Sequence, residues 1–154
     1  MIALVVALAA LGLAGWAAFR PAPRPASEPG TDQGYSAAQE AEAKASICAA
    51  MNLVRKGVSM NTNLQPPGGA ADVTGALAVA ANARLSLSEG GQYLLARLDP
   101  ATPKPLADDA RKFANSLIDI GAASIAGALN SDADQATRLK DADALNMKIA
   151  EACK

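Results

Sequence analysis

The stretch SICAAMNLVRKGV, residues 46–58, decides the fold. Ile47, Met51, Val54 and Val58 recur at three- and four-residue spacing, which places them on one stripe of an α-helix and in no pattern a strand would use. Cys48, one of two cysteines in the chain, stands beside that stripe. The helix is expected from about Ser36 to Asn61. It must end before Gln65-Pro66-Pro67-Gly68-Gly69, a run that no helix crosses.

Working toward the C-terminus, three more segments of similar length follow. A second helix is expected from about Asp72 to Leu98, with Leu77, Ala81, Leu85, Leu87, Leu94 and Leu98 as its apolar positions and a kink or break at Gly90-Gly91, since each helical glycine costs about 1 kcal/mol relative to alanine. Asp99-Pro100-Ala101-Thr102-Pro103 then forces a turn. The third helix begins near Pro105, with Asp108 and Asp109 as first-turn carboxylates and Phe113, Leu117 and Ile120 on its buried face. The fourth starts at Ser131, read as an N-cap in a capping box with Asp134, and carries Leu145, Ile149 and Cys153 at four-residue intervals. Short connections make neighbours antiparallel, so the expected architecture is an all-α, four-helix antiparallel bundle over residues 36–154.

Composition agrees. Of 154 residues, 51% are apolar but only 3% aromatic, and alanine dominates, which favours helices packed through small side chains. The 14 basic and 15 acidic residues are spread without a basic block, so nucleic acid is not an expected partner. Histidine is absent, which removes the commonest general base and metal ligand at neutral pH.

Toward the N-terminus, residues 1–19, MIALVVALAALGLAGWAAF, carry no charge and as a helix would reach roughly 28 Å, close to the ~30 Å hydrocarbon core. Trp16 and Phe19 precede Arg20 as an interfacial belt would. A transmembrane anchor is expected here, with a cleaved signal peptide as the alternative. Residues 20–35, RPAPRPASEPGTDQGY, alternate proline with small polar residues and form an extended linker. Arg20 and Arg24 favour the opposite topology. The cysteines decide for export: Cys48 and Cys153 fall at the same end of an up-down-up-down bundle, and an exported domain with two such cysteines is expected to join them. Residues 36–46 would then form a helical stalk, with the core starting at Ile47.

The remaining candidates for chemistry are weak. Adjacent carboxylates such as Asp108 and Asp109 point about 100° apart on a helix and do not converge on one atom. Asp132, Asp134, Asp141 and Asp143 lack the loop and closing glutamate of a calcium site. Neither glycine pair forms a phosphate loop, and no nucleophile elbow is present, so no nucleotide, cofactor, metal or catalytic residue is expected. The most distinctive run is Gly90 to Pro100, GGQYLLARLDP, in which Tyr93 and Arg97 form a candidate interaction surface, being residue types enriched at interface hot spots. The bland reading is a kinked core helix with Arg97 paired to a neighbouring carboxylate.

The Ala-rich N-terminal segment, the Pro-rich linker, Asn82-Ala83-Arg84, the Gly90-to-Pro100 run, Asn130-Ser131-Asp132 and the terminal Glu151-Ala152-Cys153 together make the chain resemble the alanine- and proline-rich single-pass envelope membrane proteins of mycobacteria and related actinobacteria. The resemblance is one of layout and short stretches over most of the chain. It implies a cell-membrane location with the C-terminal domain outside the cytoplasm, and supplies no activity. The expected function is accordingly a non-enzymatic scaffold or accessory subunit that meets the lipid bilayer and another envelope protein. The alternative is a helical module that binds a lipid or small apolar ligand between its helices.

Overall fold

Four helices occupy most of residues 34–154, the part of the chain that the computed structural model describes. The expected anchor, residues 1–19, and all but the end of the linker lie outside the described residues. In chain order the helices are α1 (Ala37–Thr62), α2 (Val73–Ala96), α3 (Lys104–Ile125) and α4 (Ala133–Ala152), with a short 3-10 turn at Gly69–Ala71. No helix among the described residues is long and apolar enough to cross a membrane.

Local chemistry sets the boundaries. Ser36 caps α1: its hydroxyl accepts from the Gln39 backbone N–H while the Gln39 side-chain oxygen accepts from Ser36 N–H, satisfying two donors at once. Asp72 caps α2 by accepting from Gly75 N–H at 2.8 Å. At the end of α3, Gly127 takes a φ of +99°, and the N–H groups of Gly127 and Ala128 reach back to the Ser124 and Ala123 carbonyls. This is a Schellman stop, which glycine adopts without the Cβ penalty. The expected cap at Ser131 is displaced by one residue. Asp132 holds the N-cap position of α4, and its carboxylate is turned back onto Leu129 N–H at 2.8 Å to close the preceding turn, so the Ser131–Asp134 box does not form.

Helices α1 and α2, α2 and α3, and α3 and α4 pack extensively against one another. The apolar stripe of α1 (Ile47, Met51, Val54) meets Leu87 and Leu94 of α2, the near-continuous face of α3 (Leu106, Phe113, Leu117, Ile120) and Ala142 and Ile149 of α4 in a single core. The core starts one turn earlier than expected, because Ala43 is already buried. Leu77 and Leu85 of the expected α2 face are instead exposed.

Gly90-Gly91 does not break α2, which is continuous from Val73 to Ala96. A Cβ on Gly91 would lie 2.5 Å from the Ala114 carbonyl oxygen and 2.6 Å from an Ile118 side-chain carbon; one on Gly90 would lie 2.9 Å from Val54. The glycines let α2 approach two neighbours closely, and the helix remains intact because the packing gained outweighs their low propensity.

Two polar ties cross between α3 and α4. Gln135 is fully buried, and its amide donates to the Ile120 carbonyl at 3.1 Å and to Ser124 Oγ at 3.0 Å. Lys148 Nζ reaches the largely buried Asp109 carboxylate at 2.8 Å. Asp109 is thus not a dipole charge but an interhelical partner, while Asp108 pairs with Lys104 and Arg111 along its own helix.

Candidate functional site

Cys48 and Cys153 form a disulfide with a Cα–Cα separation of 5.6 Å, joining the fourth turn of α1 to the residue after α4. Beyond this tie the first and last helices do not continue as a packed pair. The reason is written on α1. Following Cys48 on the same helix face are Asn52, Arg55, Lys56, Ser59 and Thr62, spaced at three and four residues, so the side turned toward α4 has no apolar stripe to bury.

The result is a groove of about 1090 Å³ walled by α1 and α4. Its floor is the core itself, with Leu87, Phe113, Leu117 and Ile120 lining it, and Leu139 and Ala142 continue the apolar surface up the α4 wall. Toward the disulfide the lining begins at Asn52, one turn beyond Cys48 on α1, and at Asn146, two turns before Cys153 on α4. The turn at residues 128–130 lines the other end. This volume is at or above the roughly 300–1,000 Å³ of ordinary small-molecule sites.

The polar groups of the groove are unevenly charged. Arg55, Lys56 and Arg84 are its cations and Asp143 its single carboxylate. Among the described residues none of the three cations has a carboxylate within ion-pair distance, and Arg84 is half-buried on α2. Asn146 also lines the groove, and its side-chain oxygen is buried with no hydrogen-bond partner among the described residues. Groups of this kind ordinarily find partners in a folded protein.

The expected interaction pair is placed on the opposite side of α2. Tyr93 is half-buried against the core, and Arg97, at the C-cap of α2, lays its guanidinium over the Tyr93 ring at 4.9 Å from the centroid. Arg97 therefore stacks on an aromatic face and, among the described residues, does not pair with a carboxylate as the bland reading expected. Tyr93 also borders a shallow depression between α1 and α2 with Leu53, Gly57 and Glu89. Of the acidic set, Asp132 serves the α3–α4 turn and the other three are exposed. Among the described residues no three metal-ligating side chains converge. The sequence reading missed the groove, although the signal was present in the polar residues that follow Cys48 at helical spacing.

No protein-family model, curated protein or solved structure matches the chain.

Proposed function

We propose that the protein is a non-enzymatic binding module of the cell envelope, carried on an N-terminal anchor and Pro-rich linker, whose α1–α4 groove holds the apolar part of a lipid or similar ligand. The observation that carries this reading is the groove floor. Leu87, Phe113, Leu117 and Ile120 are core side chains, 2–8% exposed, and the edge of each that stays accessible lines the recess between α1 and α4. An apolar chain laid there would gain roughly 25 cal/mol for each Å² removed from water. The disulfide supports the same reading, because it holds the two walls at a fixed separation at one end and so pre-forms the recess. Purification of the full-length protein from native membranes in mild conditions, with mass spectrometry of the extracted lipid, tests it. Stoichiometric lipid is the expected result; a lipid-free protein that takes up no apolar probe refutes the reading.

A second reading, an accessory subunit that docks another envelope protein, is favoured by the α1–α2 face. There the Tyr93–Arg97 stack stands beside Leu53, which is 58% exposed. Cross-linking in native membranes followed by loss of the partner on Tyr93→Ala or Arg97→Ala is the outcome expected of that reading.

A further inference from the structure

We propose that the groove selects an anionic single-chain lipid, with Arg84, Arg55 and Lys56 receiving the headgroup while the chain lies on Leu87, Phe113, Leu117 and Ile120. This inference rests on the binding-module reading and adds the chemistry of the ligand's polar end. Three features of the site lead to it. First, the chain as a whole has a net charge of −1, so three cations against one carboxylate in a single groove is a local excess opposite in sign to the molecule. Second, Arg84 is half-buried without an ion pair or side-chain hydrogen bond among the described residues, and a guanidinium in a partly desolvated position gains most from a carboxylate or phosphate that can take two of its N–H groups. Third, Arg84 and Leu87 are one turn apart on α2 and line the same groove, so a headgroup on the first leaves its chain against the second.

An amphipathic peptide is the competing occupant, and the shape of the groove disfavours it. The lining runs only from Asn52 and Asn146 on one side to the 128–130 turn on the other. A helix about 10–12 Å across would need an open-ended channel to lie along it. A single acyl chain does not.

The test uses the full-length oxidised protein and two probes of equal chain length, dodecanoate and dodecanol, titrated by calorimetry. Dodecanoate is expected to bind about tenfold more tightly than dodecanol, which is about 1.4 kcal/mol. That preference should shrink as salt is raised, because part of the headgroup attraction is solvent-screened. Arg84→Gln is expected to erase the preference. Arg97→Gln, on the other side of α2, is expected to keep it. Should Arg84→Gln fail to fold, Arg55→Gln combined with Lys56→Gln, both at exposed positions, provides the same comparison. Equal affinity for the two probes overturns the headgroup assignment and leaves the groove reading standing. Binding of neither probe overturns both, and binding of an acidic amphipathic peptide in place of dodecanoate replaces the lipid with the competing occupant.

Discussion

Cys48 and Cys153 are bonded across 105 residues of chain at the one end where α1 and α4 are held together, while farther along the same two helices stand apart over the groove. The disulfide therefore does for this pair of helices what apolar packing does for the other three pairs. Closing a loop of this size stabilises a protein by about 4.7 kcal/mol in the chain-entropy model. The Cys48→Ser, Cys153→Ser double variant should lose several kcal/mol in urea unfolding, and hydrogen exchange should show α1 and α4 losing protection before α2 and α3. A double variant as stable as the parent would show that the seam is held by other contacts.

Two glycines on facing helices should respond to alanine with opposite signs. At Gly91 a new Cβ would meet a backbone oxygen at 2.5 Å, and backbone yields only if α2 and α3 move apart, so Gly91→Ala should destabilise by about 1–3 kcal/mol. At Gly57, inside α1, a Cβ meets nothing within 4 Å, so Gly57→Ala should stabilise by about 0.5–1 kcal/mol through helix propensity and a less mobile unfolded chain. Thermal melts of the two single variants, run side by side, check the signs.

The Lys148–Asp109 pair lies between the limits for ion pairs, since the carboxylate is 11% exposed and the ammonium 67%. Exposed pairs contribute about 0.2–1 kcal/mol, whereas removing one partner of a buried pair costs about 3–5 kcal/mol. Lys148→Gln, which leaves Asp109 largely buried without its cation, should cost about 1–2 kcal/mol by denaturant unfolding. Lys104→Gln, which frees only the exposed Asp108, should change stability much less.

The contrast between these two aspartates shows how far the sequence could be read. Helical period, the Pro-Gly runs and the two cysteines gave four helices and their disulfide, because those signals are local or follow from which end of the bundle each helix presents. The roles of Asp109, Gln135 and Gly91 were not legible, since each depends on a residue 15 or more positions away or on how closely two backbones approach. A buried glutamine beside Ala136 and Thr137 looks like any polar helix residue until the Ile120 carbonyl is placed against it. The groove was missed for a related reason. The polar face of α1 is visible in the sequence, but an exposed flank and a groove wall share one pattern until the neighbouring helix is in position.

Asp108 should titrate below its ordinary value of 3.8, chiefly because it accepts a hydrogen bond from Lys104, with the charges of Lys104, Arg111 and Lys112 acting in the same direction against a smaller opposing effect of burial. A carboxyl lowered in the folded state contributes stability that is present above its unfolded pKa and is lost as pH falls through the folded value. The Asp108 contribution is therefore constant at neutral pH and disappears only in acid. In carboxyl-carbon NMR titrations Asp108 should move up toward 3.8 in Lys104→Gln; an unchanged midpoint would mean that the pair does not persist in solution.

The groove itself is tested by filling it from the side that least disturbs the core. Ala83 is half-buried on α2, lines the recess and belongs to neither the core cluster nor the cationic set. Ala83→Trp would place an indole inside the recess from its α2 side, taking up volume that a ligand chain would otherwise occupy. If the recess is a binding site, the variant should fold with an unchanged or slightly raised melting temperature, because the indole buries exposed apolar area. Uptake of dodecanoate should fall at least tenfold, for the chain and the ring compete for one volume. The two readouts separate occupancy from folding: a variant that melts early has disturbed the core, whereas one that melts normally and still binds dodecanoate at parental affinity shows that the ligand lies elsewhere.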